Sequence, residues 1–136
     1  MSDTVLTVRP IDEPDAARWR DLFTAYGVFY KTEFTDEVLD RVWALVSTPG
    51  SGVEALVAEA DGVVVGFAHH RSHPDTFSGS RDPAPAEIYT DPEARGLGVA
   101  SLLIDTIVGI ARSAGETGVL RWITAADNER AQRVYD

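Results

Sequence analysis

The 136-residue chain is long enough for one domain with its own hydrophobic core, and the lack of cysteine excludes disulfide bonds, thiolate metal sites and a cysteine nucleophile. The formal net charge of −10 argues against a nucleic-acid partner, because affinity for phosphate backbones rests on clustered lysine and arginine. No apolar run approaches the roughly 18 residues of a membrane span, and the N-terminus lacks a signal-peptide pattern, so we expect a cytoplasmic protein without a membrane partner.

The N-terminal part of the chain is predicted to form a strand and two helices. Residues 4–9 are rich in β-branched side chains and precede Pro10, which is typical of a short strand. Pro14 and its acidic neighbours suit the first turn of a helix. The apolar positions of this helix are Trp19, Leu22, Phe23, Tyr26 and Tyr30. Thr35 is a suitable N-cap for a second amphipathic helix that ends near Val46.

A hairpin and a loop are predicted in the middle of the chain. The apolar runs 53–60 and 63–71 are joined by Asp61-Gly62, a dipeptide that favours the positive φ angles of a tight hairpin turn. Residues 75–86 contain two prolines, a glycine and several polar side chains, so we expect a loop there, at a mobile edge of the active site.

Three histidines follow one another closely at the end of the second predicted strand of the hairpin. Neighbouring residues of a strand face opposite sides, so His69 and His70 cannot easily share one metal ion, and we predict no metal site. The alternative for His69, His70 or His73 is that one of them lines a pocket.

The most informative stretch is a glycine-rich turn, residues 91–100, with the sequence DPEARGLGVA. Residues 87–90 predict a strand before it, and apolar side chains at helical spacing predict a helix after it. Those side chains are Val99, Leu102, Leu103, Ile107, Ile110, Ala111 and Ala114. The first N–H groups of a helix lack intrahelical partners, and the helix dipole adds positive potential there. With Arg95 as a fixed cation, the turn predicts a phosphate or pyrophosphate site; the alternative is a tight left-handed turn.

The remaining chain completes the predicted order of elements. Residues 119–124 predict a strand, and a strand, a helix and a strand in this order predict a right-handed parallel crossover. A last helix is predicted to begin near Asp127.

Two segments carry a resemblance to a known family. The turn fits the pattern Arg-x-x-Gly-x-Gly/Ala at Arg95, Gly98 and Ala100, and the segment 128–135 fits Asn-x-x-Ala-x-x-x-Tyr. With the Asp-Gly hairpin and the element order, the chain resembles the GNAT superfamily of N-acetyltransferases over nearly its whole length. The aromatic first helix and Glu87 make it most similar to the bacterial diamine acetyltransferase-like branch. It departs from that branch in the prolines that precede Glu87.

The resemblance implies an α/β (α+β) GNAT fold. Its sheet is mixed and mostly antiparallel, with one parallel strand–helix–strand crossover around the acyl-CoA loop. Residues 1–136 would form a single acetyltransferase domain. Because the family continues into further strands where this sequence ends, we expect those C-terminal strands to be absent and the sequence to be truncated at its C-terminus.

The resemblance also assigns site residues. The predicted acetyl-CoA contacts are Ile88, Tyr89, Thr90, Arg95, Gly96, Leu97, Gly98, Val99, Ala100, Ser101 and Asn128. The catalytic residues would be Glu87 and Tyr135; the alternatives are an exposed strand residue and a core tyrosine at a helix end. In the family, the loop after the first helix borders the acceptor site, which makes Tyr26, Tyr30 and Glu33 candidate substrate contacts. Their alternatives are a core position for the tyrosines and a solvated face for the carboxylate.

The implied chemistry is acetyl transfer to an amine. An alkylamine of pKa ~10.4 is only about one part in a thousand free base at neutral pH, so a general base is needed, which we assign to Glu87. Tyr135, a phenol of pKa ~10, would protonate the leaving thiolate. We expect an acetyl-CoA-dependent N-acetyltransferase, without a metal, that acts directly on a small cationic amine. A homodimer is left open as its assembly. The alternatives are a protein lysine or N-terminal acetyltransferase and a non-catalytic acyl-CoA-binding module.

Overall fold

A mixed sheet of five strands with helices on both faces organises the part of the chain that the computed structural model describes. The described residues are 4–74, 76–77, 79, 81–83, 86–114 and 122–124. In spatial order the strands are β1 (Leu6–Pro10), β2 (Glu54–Ala60), β3 (Val63–His70), β6 (Ala86–Thr90) and β7 (Trp122–Thr124). The helices are α1 (Ala16–Phe29), α2 (Asp36–Val46) and α3 (Val99–Ser113), and the short strands β4 (Ser72–Pro74) and β5 (Arg81–Pro83) form a separate pair. This is the α/β arrangement that the sequence predicted.

The direction of the strands also agrees with the sequence. β1, β2, β3 and β6 pair in antiparallel fashion, and β7 runs parallel to β6. The chain between β6 and β7 includes α3, so the predicted parallel strand–helix–strand crossover is confirmed. It places the glycine-rich turn at the end of β6, next to the middle of the sheet.

The sheet separates two hydrophobic clusters because side chains alternate along each strand. On β3, Phe67 faces α1 and α2, whereas Ala68 faces α3. On β6, Tyr89 and Ile88 divide in the same way. Glu87 precedes Ile88 and therefore lies on the face that carries α1 and α2. The strand register thus decides which helices surround each polar side chain of β6.

Local signals in the sequence placed several elements well. The turn between β2 and β3 has positive φ at Asp61 and Gly62, as expected for their hairpin. The hydroxyl of Thr35 accepts a hydrogen bond of 3.2 Å from the backbone N–H of Val38, so its predicted role as N-cap is confirmed. Within the described residues, no helix is long and apolar enough to cross a membrane.

The prediction of a loop over residues 75–86 was partly wrong. Arg81–Pro83 forms β5 and pairs with Ser72–Pro74. The Arg81 guanidinium adds hydrogen bonds of 3.0 and 3.2 Å to the hydroxyl and carbonyl oxygens of Ser72. A proline is tolerated at the end of an edge strand, where its nitrogen has no ladder partner to lose. The polar composition indicated a loop and did not reveal the pairing of these two short segments.

The apolar stripe of α3 differs in detail from its prediction. Val99, Leu103 and Ile107 are buried as expected, but Ile110 is 38% exposed, and Ile104, which was not predicted, is 1% exposed. Ile110 lies in the last turn of the helix. Periodicity identifies the face of a helix but not the point where its packing partners end. The predicted helix from Asp127, with Asn128 and Tyr135, lies outside the described residues.

Candidate active site

The glycine-rich turn has the backbone geometry of a helix start that is open to a ligand. Asp91 caps a short 3-10 turn (Pro92–Ala94) by accepting a hydrogen bond of 3.0 Å from the N–H of Glu93. Gly96 and Gly98 then adopt φ angles of +89° and +86°. The first hydrogen bond of α3 runs from Leu102 N–H to Gly98 O at 3.0 Å. At such a helix start the first N–H groups point toward the preceding turn, which is the side from which an anion can approach.

Space for a ligand exists above this turn. A Cβ atom placed on Gly96 or on Gly98 would meet nothing within 4 Å, and both glycines are exposed together with Leu97. Arg95 is half-buried beside them. A concentration of N–H donors, a helix N-terminus and an arginine in open space fits a phosphate-bearing ligand. The structure thus brings the residues of the predicted acyl-CoA loop into one accessible turn.

Glu87 lies on the sheet face that α1 and α2 cover. It is directly opposite His69 in the β3–β6 register, and its Oε1 is 3.1 Å from His69 Nδ1. The Nη2 atom of Arg71 is 3.6 Å from the same oxygen. The hydrogen bond from His69 lowers the pKa of Glu87, although burial opposes this effect. Its side chain is still 31% exposed, so an ionised carboxylate is available to a ligand.

His69 is connected in turn to Trp19 of α1. The Trp19 indole Nε1–H donates a hydrogen bond of 2.9 Å to His69 Nε2, and each residue is 1% exposed. Burial lowers the pKa of His69, so its imidazole is neutral near pH 7. The sequence suggested pocket lining by one histidine but not this chain of contacts. A buried tryptophan N–H needs a hydrogen-bond acceptor, so the sequence indicates that Trp19 has one. The sequence does not identify it, because the acceptor lies 50 residues further along the chain.

Aromatic side chains form a wall on the α1 side of Glu87. Tyr26 is buried, and desolvation together with the charge of Glu87 raises its pKa. The Tyr26 ring centroid lies 5.0 Å from that of Tyr30 and 6.3 Å from that of Tyr89. Tyr30 is 39% exposed, and Glu33 is exposed in the connection between α1 and α2. Of the predicted acceptor residues, the structure therefore brings Tyr26 and Tyr30 together, and Tyr26 is close enough to Glu87 to be affected by its charge.

The other histidines have different surroundings. His70 is buried, and its Nε2 lies 3.7 Å from the exposed carboxylate of Glu54. His73 lies exposed on β4. Over the ranges that the structure describes, no three His, Cys, Asp or Glu side chains group as metal ligands. The prediction about metal is not tested by this observation.

A family model described as the acetyltransferase (GNAT) family matches residues 17–136. The chain belongs to the GNAT family. The D-amino-acid N-acetyltransferase HPA3 of Saccharomyces cerevisiae is 28% identical over 132 residues, which cover 96% of this chain and 81% of the yeast protein. The family membership and this relative identify the protein as an N-acetyltransferase.

Solved structures of GNAT-like proteins share the fold. A ribosomal-protein-alanine N-acetyltransferase from Brucella melitensis biovar Abortus 2308 superposes with a TM-score of 0.75 at 23% sequence identity. The superposition covers 96% of this chain and 88% of the Brucella chain. A protein described as a predicted acetyltransferase from Clostridium acetobutylicum, solved with acetyl-CoA, superposes with a TM-score of 0.74 at 18% sequence identity. The superposition again covers 96% of this chain and 88% of the other chain. Acetyl-CoA is supported as the cosubstrate of this GNAT enzyme, whereas its membership of the diamine acetyltransferase-like branch is not shown.

Proposed function

We propose that this GNAT enzyme transfers the acetyl group of acetyl-CoA directly to a primary amine, and that a small cationic amine is the acceptor. The observation that carries the proposal is the ionised, partly exposed carboxylate of Glu87 beside the aromatic wall of Tyr26, Tyr30 and Tyr89. A carboxylate attracts an ammonium group, and aromatic faces stabilise a cation through their quadrupole. The net charge of −10 adds attraction at long range.

The cosubstrate is assigned to the turn and strand that lead into α3. Residues 95–101 would hold the phosphates through backbone N–H groups and the Arg95 side chain. Ile88, Tyr89 and Thr90 of β6 would lie along the pantetheine arm. This assignment directs the thioester toward Glu87, which immediately precedes these residues in the same strand.

In the proposed reaction, the amine nitrogen attacks the thioester carbon, a C–N bond forms and the C–S bond breaks. The amine becomes strongly acidic as the new bond forms, and Glu87 takes its proton directly or through water. Because the pKa of Glu87 is lowered, the carboxylate is ionised throughout the neutral range. Tyr135 stays the predicted donor of a proton to the leaving thiolate. Replacing Tyr135 with Phe should then lower turnover while acetyl-CoA binding is retained.

A pH–rate profile tests the role of Glu87. The Glu87→Gln variant should lose most activity at neutral pH and recover part of it at high pH, where free amine is abundant. Glu54→Gln is the matched control, because Glu54 is an exposed carboxylate on β2, two strands away from β6 in the same sheet. A Glu87→Gln profile that is only a scaled copy of the parent's would remove Glu87 as the base.

An α-amino acid is a second candidate acceptor, and Arg71 favours it. Its guanidinium is 3.6 Å from Glu87 and partly exposed, so an amine beside Glu87 would leave a carboxylate within reach of Arg71. The likeness to the yeast D-amino-acid N-acetyltransferase points the same way. Thiol release should be measured with aliphatic diamines, with D- and L-amino acids and with peptides that offer an N-terminus or a lysine.

The Arg71→Met variant separates the first two acceptor classes. It should raise KM for amino acids severalfold and leave KM for diamines unchanged or lower, since it removes a positive charge from the site. Preference for peptides would assign the enzyme to protein acetylation instead. Saturable acetyl-CoA binding without thiol release for any amine would contradict the proposed direct transfer and favour an acyl-CoA-binding module.

A further inference from the structure

We propose that Trp19 and His69 are positioning residues for Glu87: the indole of Trp19 fixes one tautomer of His69, whose Nδ1–H then holds the carboxylate in place. The inference rests on the proposed function, in which Glu87 receives the acceptor's proton. It assigns a role to two core residues of the face that α1 covers.

The direction of the hydrogen bonds follows from the chemistry of the three groups. An indole N–H can only donate, so His69 Nε2, 2.9 Å from Trp19 Nε1, must be the accepting nitrogen. A neutral imidazole carries its proton on the other nitrogen. His69 Nδ1 therefore donates to Glu87 Oε1 at 3.1 Å. The carboxylate therefore accepts a hydrogen bond from a neutral donor of defined position, in addition to the Arg71 guanidinium 3.6 Å from the same oxygen.

Packing leaves this chain of hydrogen bonds few alternatives. The Trp19 ring centroid lies 5.2 Å from that of Phe23 and 5.4 Å from that of Trp43. The His69 ring contacts Phe67 at a centroid separation of 4.7 Å. A polar ring atom inside such an apolar cluster has no water to replace a lost partner, so the indole and the imidazole hold each other. The stability of the core thereby fixes the orientation of Glu87.

The charge state of His69 matters as much as its position. The titratable groups that face Glu87 from described elements are His69 on β3, Arg71 just after β3, and Tyr26 on α1. An imidazolium at His69 would neutralise Glu87 and weaken its attraction for an ammonium group. The indole donor disfavours that state, because a doubly protonated imidazole has no nitrogen left to accept. Glu87 is thus oriented by His69 while its negative charge stays available to the acceptor.

The tautomer can be measured without any activity. In a protein labelled with 15N-histidine, the nitrogen spectrum of His69, assigned by its loss in a His69→Asn variant, should show a protonated Nδ1 and an unprotonated Nε2 at neutral pH. In Trp19→Phe, which keeps an aromatic ring, the two tautomers should mix or His69 should begin to titrate. A protonated Nε2 in the parent protein would overturn the inference.

Kinetics test the consequence for Glu87. Trp19→Phe should lower kcat between about tenfold and a hundredfold with KM for acetyl-CoA unchanged, because only the base is misplaced. Trp43→Phe is the matched control: this ring also packs on Trp19, but its nitrogen is not in the chain of hydrogen bonds. Equal kcat losses in the two variants would mean that packing alone is responsible and would overturn the proposal.

The acid limb of the pH profile of kcat/KM distinguishes the proposed role from a purely structural one, because a structural role would leave the pH of this limb unchanged. His69→Phe removes the donor to Glu87, so the pKa of Glu87 should rise and the limb should move up by about one pH unit. His69→Asn, whose amide can donate from a position near that of Nδ1, should move the limb back toward its parental position. An unmoved limb in His69→Phe would contradict the proposal. A failure of Glu87 as base would appear instead as an unchanged profile in Glu87→Gln, while the nitrogen spectrum would still report the tautomer.

Discussion

Arg18 on the first helix donates a hydrogen bond of 2.6 Å from Nη2 to the carboxylate of Asp91, which begins the glycine-rich turn. The same guanidinium donates from Nε to the carbonyl of Val64 at 2.8 Å. The other Asp91 oxygen accepts from Glu93 N–H, and the Asp91 N–H donates to Val65 O at 2.7 Å. Helix α1, strand β3 and the start of the glycine-rich turn are therefore connected through Arg18 and Asp91.

This connection should contribute to acetyl-CoA binding without any contact to the cosubstrate. Arg18→Met is expected to weaken acetyl-CoA binding about three- to tenfold, or about 1 kcal/mol, a modest value because the ion pair is partly exposed to solvent. Calorimetric titration measures the affinity. Arg20→Met is the control, since Arg20 lies on the same helix but pairs with the exposed Asp36 and Asp40. Equal acetyl-CoA affinities of the two variants would show that the Arg18–Asp91 ion pair does not contribute to acetyl-CoA binding.

Two substitutions at Gly98 distinguish the effect of backbone strain from the effect of charge at the predicted phosphate site. Its φ of +86° is unfavourable for most side chains, but asparagine and aspartate tolerate this region comparatively well. Gly98→Asp adds a negative charge where phosphate is expected and should reduce acetyl-CoA affinity at least tenfold, about 1.4 kcal/mol. Gly98→Asn has nearly the same shape and should reduce it less. Equal affinities for these two variants would place the phosphates elsewhere.

Gly66 on β3 allows the start of α3 to lie close to the sheet. A Cβ atom at this position would be 2.9 Å from the carbonyl oxygen of Tyr89 and 3.0 Å from Cγ1 of Val99. Gly66→Ala should lower the free energy of unfolding by about 1–3 kcal/mol, because neither the strand nor the helix can move without losing contacts. Urea denaturation measures the change.

The matched substitution for this test is Gly109→Ala on α3. Gly109 has open space around its Cα, so alanine should raise the free energy of unfolding by about 0.5–1 kcal/mol through its higher helix propensity. Stabilisation by Gly66→Ala as well would show that the sheet and α3 are not closely packed at that point.

Asp15 should make stability depend on pH in the acid range. It is 6% exposed and accepts hydrogen bonds of 2.7 and 2.9 Å from the Arg9 guanidinium, which is the main cause of its lowered pKa. A lowered folded-state pKa contributes stability above the unfolded value of about 3.9, and this contribution disappears as pH falls through the folded value. Asp15→Asn should cost about 2 kcal/mol at neutral pH and progressively less below about pH 4.

Denaturation at several pH values checks this expectation. Asp21→Asn, at an exposed position of α1, should change stability little at any pH. A difference between Asp15→Asn and the parent protein that is as large at pH ~2 as at pH ~7 would contradict the role of the ionised carboxylate.

Features that depend on a few neighbouring residues were predictable from the sequence. The Asp61-Gly62 hairpin follows from the φ angles that these two residues tolerate. The Thr35 cap follows from a hydrogen bond that its hydroxyl accepts from the N–H of Val38, three residues away. The turn at Gly96 and Gly98 is equally local. Such features need no knowledge of distant parts of the chain, so composition and spacing were sufficient.

The surroundings of Glu87 depended on the tertiary structure. The sequence made Glu87 a candidate base, but it did not indicate that His69 lies opposite it or that Trp19 donates to His69. Side-chain periodicity states which face a residue occupies, whereas strand register and helix packing decide which residue it meets there. Those contacts span 18 and 50 residues. A polar group in a core takes its protonation state from its partner, and the partner exists only when the chain has folded.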